Sequence, residues 1–123
     1  MTRITMDNLH DFIRGTAILG TGGGGDPYVG RLMLEQELVK CGGIDLIDPD
    51  DVPDDMFAIS VACMGAPTVF VEKLPNAQAT ITAMRKVEKE LGRKFNAIIP
   101  LEAGGINATL PLVVAAQMGL PVV

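Results

Sequence analysis

Apolar residues along this chain alternate between helical and extended patterns. Leu9, Phe12, Ile13 and Ala17 fall at the i, i+3, i+4, i+8 spacing of one helical face, which predicts a helix from about Asp7 to Leu19. The run Gly20-Thr21-Gly22-Gly23-Gly24-Gly25 ends it, because glycine interrupts helices and strands alike. Asp26-Pro27 reads as an N-cap followed by proline at the first helical position. A second helix is expected from Pro27 to about Lys40, burying Leu32, Leu34, Leu38 and Val39 and closing at Gly42. Ile44 to Ile47 predicts a short strand, and Asp48 to Asp55 an acidic loop holding Pro49 and Pro53. Phe57 to Cys63 is nearly all apolar, as a strand buried on both faces should be, and it ends in a turn at Met64-Gly65-Ala66-Pro67. Asn76 caps a third expected helix reaching Leu91, with Ile81, Met84, Val87 and Leu91 inward, Lys86 to Glu90 in solvent and Gly92 at its end. Ala97 to Ile99 predicts another buried strand. Pro100 to Gly105 is a turn, Asn107 or Thr109 opens a fourth helix, and Gly119 closes it. Pro111 suits that helix only within its first turn.

This alternation predicts an α/β fold, a mainly parallel sheet with helices on both faces. The 123 residues suffice for one domain. Gly119-Leu120-Pro121-Val122-Val123 looks like a helix C-cap followed by the start of a strand. The expectation is a single α/β domain over 1–123, incomplete at its C-terminus and the N-terminal part of a longer two-domain protein.

Composition narrows the function classes. Hydrophobic residues make up 48% of the chain, which excludes disorder. A net charge of −5 argues against nucleic acid and anionic membranes as partners. No apolar run is long enough for a membrane helix, and Met1 to Asp11 lacks the apolar core of a secretory signal. Cys41 and Cys63 form no C-x-x-C pair, so a reducing cytoplasm is expected.

In parallel sheets, ligands bind beyond the carboxyl ends of the strands. The turns at Met64-Gly65 and at Pro100 to Asn107 belong to that edge. In the second, Glu102 precedes Gly104, Gly105 and Asn107 at a helix N-terminus, where amides and the helix dipole favour negative charge. Glu102 is therefore a candidate proton acceptor or metal ligand, set against an exposed turn residue. The loop Gly22, Gly23, Gly24, Gly25 is a candidate ligand contact, with Asp26 as a second catalytic or metal-binding carboxylate, set against a plain connector between packed helices. Gly20-x-Gly22-x-x-Gly25 also matches a dinucleotide fingerprint, with Asp48 near the expected distance, but that fingerprint should follow a strand rather than a helix. The P-loop pattern fails because Asp26-Pro27 replaces its Lys-Ser/Thr pair. Cys63 is read as a packed core thiol in preference to a nucleophile. His10 is read as a surface residue, and the Asp48 to Asp55 cluster as a solvated loop rather than a cation site.

Three segments together resemble one family. They are Gly15-Thr16-Ala17-Ile18-Leu19-Gly20-Thr21-Gly22-Gly23-Gly24-Gly25-Asp26-Pro27-Tyr28, then Met64-Gly65-Ala66-Pro67, then Glu102-Ala103-Gly104-Gly105-Ile106-Asn107. Their order and spacing resemble the N-terminal domain of the S-methyl thiohydantoin desulfurase-like proteins. The resemblance implies an α/β N-terminal domain followed by a β-rich one. It also implies removal of the sulfur substituent from a thiohydantoin ring, and association with hydantoinase or oxoprolinase-type enzymes. Candidate functions are then an enzyme domain hydrolysing a small cyclic amide, with a divalent metal left open, and a non-catalytic subunit of a hydantoinase-type complex. A nucleotide-binding domain using Gly20 to Gly25 is the third. A homo-oligomer or a hydantoinase-type partner is expected.

Overall fold

The computed structural model describes residues 2–65 and 68–123. Strand β1 (Thr2–Ile4) opens the chain, followed by helices α1 (Leu9–Gly20) and α2 (Pro27–Cys41) and strand β2 (Ile44–Leu46). A 3-10 turn (Pro49–Asp51) leads to β3 (Ala58–Val61), then to a short helix α3 (Val69–Glu72) and helix α4 (Gln78–Leu91). Strand β4 (Ala97–Pro100) and helix α5 (Gly105–Met118) complete the order. The α/β class holds, but in place of the expected mainly parallel sheet the described strands form one parallel and one antiparallel pair, because β1 returns onto β2. Ala66 and Pro67 of the expected second turn lie outside the described residues.

The strands form two small sheets. β3 and β4 pair in parallel, with Ala58 opposite Ala97 and Val61 opposite Pro100. β1 and β2 pair antiparallel, Ile4 opposite Ile44. Val122 makes single parallel bridges to Leu46 and to Ile98, so it stitches the two pairs together. Its amide donates to the Asp45 carbonyl at 3.0 Å, and its own carbonyl accepts from Ile47 at 2.8 Å.

Helix α5 is the centre of packing. Every residue from Gly105 to Ala115 is buried, and the helix touches α1, α2, β2, β3 and β4. A helix apolar all round belongs inside a fold, and the sequence of α5 has no charged face. Pro111 lies inside this helix rather than in its first turn, because α5 begins at Gly105 and not at Asn107 or Thr109. The Asn107 carbonyl consequently loses its helical donor. Complete burial of the proline ring offsets that loss.

Two helix faces differ from their sequence patterns. In α2, Leu34 and Leu38 are buried, but Leu32 and Val39 are exposed. The face turned to α5 is instead Gly30, Leu34, Glu37 and Leu38. Glu37 is tolerated there because its Oε1 accepts from Lys40 Nζ at 3.0 Å and from Gln117 Nε2 at 3.1 Å. In α4, Ile81 and Met84 are buried, whereas Val87 and Leu91 are exposed. That helix covers the core only with its N-terminal half. Ala77 rather than Asn76 is the N-cap of α4, and Asn76, one residue earlier, accepts from the Gln78 amide through its Oδ1 at 3.0 Å. In β3 and β4, Ser60 and Ile99 are exposed, so neither strand is buried on both faces throughout. In α1, Leu9 and Ile13 are buried and Phe12 is half-buried; Thr16 takes the inward position instead of Ala17.

No described helix is long and apolar enough to cross a membrane.

The α2–α5 seam makes a stability prediction. A Cβ at Gly30 would overlap the hydroxyl of Thr109, which is fully buried. Gly30→Ala should therefore destabilise the fold by about 1–3 kcal/mol in urea unfolding. Gly15, also helical, has no neighbour within 4 Å of its Cβ position. Gly15→Ala should be neutral, or stabilising by up to about 1 kcal/mol. Equal responses of the two variants would contradict this packing.

Candidate functional site

Parallel pairing of β3 and β4 sends the segments after Val61 and after Pro100 out of the same edge of the sheet. The Leu101 amide donates to the Val61 carbonyl at 3.3 Å, holding the two exits together. The edge expected to carry the chemistry therefore brings Cys63-Met64-Gly65 alongside Leu101-Glu102.

Asn107 organises this edge. It sits in the first turn of α5, and its side chain is turned away from its own helix. Its Oδ1 accepts from the Cys63 amide at 2.7 Å, and its Nδ2 donates to the Cys63 carbonyl at 3.0 Å. The same Nδ2 donates to Glu102 Oε1 at 2.7 Å. One buried amide, 7% exposed, thus clamps the backbone beyond β3 and one oxygen of a carboxylate. A charge-assisted bond of this length fixes the orientation of Glu102. An asparagine suits this role because it offers an acceptor and two donors in one plane.

The two glycine turns meet backbone to backbone. The Gly24 carbonyl accepts from the Asn107 amide at 3.0 Å. A Cβ on Gly24 would fall on the Gly104 carbonyl, and one on Gly105 would fall on the Gly25 carbonyl. Both glycines also have positive φ, 77° and 53°. Close approach therefore accounts for Gly24, Gly104 and Gly105, and for Gly20 beside Gly104. Gly23 closes a tight turn by donating to the Gly20 carbonyl at 2.7 Å, and Gly22 stands in open surroundings. The loop follows helix α1 rather than a strand, so the context that a dinucleotide fingerprint requires is missing.

Asp26 acts as the N-cap of α2, its Oδ1 accepting from the Tyr28 amide at 2.8 Å. It does not line the cleft that holds Glu102.

That cleft has a volume of about 740 Å³. Gly24, Gly25, Gly65, Glu102 and Asn107 line it, whereas Gly22, Gly23, Gly104 and Gly105 do not. Cys63, Phe70 and Ile106 complete its walls together with Met64, Val69 and Leu101. Phe70 and Val69 belong to α3, a four-residue helix too short to leave a periodic signal in the sequence. A second cleft of about 510 Å³ lies on the other side of the Pro100 to Gly104 turn, with apolar walls that include Phe12, Leu19 and Leu112. Glu102 borders both clefts. Among the described residues, no three His, Cys, Asp or Glu side chains gather into a metal site.

Cys63 packs partly against the core and partly faces the cleft. Burial pushes its thiol above the ordinary value, because the thiolate is the form that loses hydration. Its side chain is accordingly a neutral thiol at pH 7. His10 is exposed on α1, as expected.

Two expected outcomes follow from this geometry. Asn107→Ala strands the Cys63 amide and carbonyl and should cost about 2–4 kcal/mol in denaturant unfolding. A loss below about 0.5 kcal/mol would mean that the clamp carries no weight. Cys41 is exposed, so iodoacetamide at pH 8 should alkylate it at least about tenfold faster than Cys63. The Cys63 rate should go on rising above pH 9, since its thiolate forms late. Peptide mass spectrometry reads both rates, and equal rates would contradict the buried thiol.

Comparison with known proteins places this geometry in context. A search of the curated proteins returns no match. Among solved structures, a crystal structure of a protein from Chromobacterium violaceum superposes with a TM-score of 0.72 at 22% sequence identity. The superposition covers 99% of this chain and 34% of that one, so the chain spans about a third of its length and shares its fold. Residues 7–123 match the N-terminal domain of the S-Me-THD-like family, a stretch that contains both glycine turns, Glu102 and the Asn107 clamp. The chain belongs to that family, as its N-terminal domain.

Proposed function

We propose that the cleft between the β3 and β4 exits is the substrate site of a hydrolytic enzyme acting on a small cyclic amide, of the hydantoin or S-methyl thiohydantoin kind. The observation that carries this reading is the Glu102 carboxylate, held at 2.7 Å by Asn107 at a cleft-lining turn. Family membership supports it. A general base must be held within hydrogen-bond reach of the proton it takes, and a fixed carboxylate beside a cleft meets that need.

In this reading the ring carbon bearing the S-methyl group meets water. Glu102 takes the water proton as the new C–O bond forms. The ring nitrogen carries the developing negative charge, stabilised by the backbone amides of the cleft-lining Gly24 and Gly25. The remaining hydroxyl proton passes to the ring nitrogen as the C=O bond forms and the C–S bond breaks, and the sulfur leaves as methanethiol with the proton returned by Glu102. The ring is left as a hydantoin. Asp26 contributes by fixing the start of α2, which anchors the glycine loop. A divalent metal at Glu102 remains compatible with the reading, but no step above depends on one.

We also read the site as part of a larger centre in a longer, cytoplasmic protein. The chain spans 34% of its structural neighbour, and Glu102 also borders the second cleft, which Val122 and Val123 line. Clefts at domain junctions are common ligand sites.

Steady-state turnover of an S-methyl thiohydantoin by the full-length protein, followed by release of methanethiol, tests the assignment. Glu102→Gln should lower kcat by about 100-fold or more, the usual contribution of a positioned general base. Equal rates for the two proteins would remove Glu102 from the mechanism.

A further inference from the structure

We infer that the cleft selects neutral or cationic ligands that bear an N–H donor and an apolar substituent, and that it rejects anions. This rests on reading the cleft as the ligand site and adds the charge and polarity of what it takes.

The glycine turns invite the opposite expectation, since a glycine-rich loop at a helix N-terminus is a common anion site. Two of the donors nearest Glu102 are already engaged. The Asn107 amide is given to the Gly24 carbonyl at 3.0 Å, and the Ala108 amide to the Gly104 carbonyl at 3.3 Å. The Asn107 side chain has two N–H groups, directed to the Cys63 carbonyl and to Glu102. No Lys, Arg or His lines the cleft among the described residues, and Glu102 is its one carboxylate. A ligand anion would meet a like charge with no cationic side chain to offset it.

Glu102 adds acceptor capacity that carries charge. A carboxylate has about four lone-pair sites, and Asn107 occupies one on Oε1. The other walls present Phe70, Ile106, Met64 and Leu101, which offer apolar surface only. A donor N–H against Glu102 with a hydrocarbon group against these side chains satisfies both halves. The net charge of −5 adds a long-range repulsion for anions at low salt. Binding a neutral ring in the ground state is also compatible with stabilising a charge that develops only during reaction.

Three probes of one shape and different charge separate these terms: isobutylammonium, isobutyramide and isobutyrate. Each is titrated into the isotope-labelled protein at pH 7 and low salt, following the backbone amides of Cys63, Gly65, Ile106 and Asn107 by NMR. The expected order of affinity is isobutylammonium, then isobutyramide, then isobutyrate, with at least about fivefold between first and last. In Glu102→Gln the ammonium should fall to the affinity of the amide. If that variant does not fold, the order in the unaltered protein decides alone. Isobutyrate binding as tightly as the other two would overturn the inference, as would the absence of any shift at these amides at tens of millimolar probe. The charge order without turnover of an S-methyl thiohydantoin would remove the desulfurase reading and leave this one in place. Turnover with no preference among the probes would do the reverse.

Discussion

The Gly24 carbonyl and the Asn107 amide meet at 3.0 Å, and much of the architecture depends on that approach. The approach brings the two backbones so close around this bond that side chains are excluded on both sides. A Cβ at Gly24, Gly104 or Gly105 would strike the opposite turn, and one at Gly20 would press on Gly104. The contact anchors the N-terminus of α5 to the loop that precedes α2. It thereby sets the seam along which Gly30 packs on Thr109 and Leu34 and Leu38 enter the core. Since α5 also touches the strands, the same contact positions the sheet relative to the two long N-terminal helices.

From this seam the site is built outward. The first turn of α5, once held by Gly24, aims the Asn107 side chain at the strand exits. Asn107 then binds both the backbone of Cys63 and the carboxylate of Glu102. Structural and chemical roles thus share one residue, and the Asn107 amide at the helix N-terminus is given to the fold. The charge left facing the cleft is the Glu102 carboxylate. The polarity of the site follows from how the turn is assembled, and it is opposite to what a glycine-rich turn suggests.

The bounds of α2, the ends of α4 and α5 and the places of β2, β3 and β4 were legible because they depend on local rules. Asp26-Pro27 starts α2, and Gly42, Gly92 and Gly119 end their helices in left-handed conformations, as glycine without a Cβ readily does. The first and third signature segments also marked the two glycine turns that meet. Burial was less legible. Val39, Val87 and Leu91 are apolar yet exposed, because α2 and α4 present only part of their surface to the core. Strand β1 was missed because three residues carry no pattern, and its antiparallel pairing with β2 is a long-range event.

The site divides in the same way. That the segment from Glu102 to Asn107 carries a turn into a helix is a property of adjacent residues, and the sequence by itself determined it, although the helix begins at Gly105. Glu102 and Asn107 are five positions apart, near enough for such a reading. Only the tertiary structure decided that Asn107 clamps Cys63, 44 positions away, and that Gly24 satisfies the helix terminus. It also decided that Asp26 caps a helix outside the cleft while Phe70 and Cys63 enter it. Local order follows from backbone preferences that each residue carries with it. Which donors are spent and which charge faces a ligand depends on groups brought together by chain crossing and packing, and no local preference encodes that meeting.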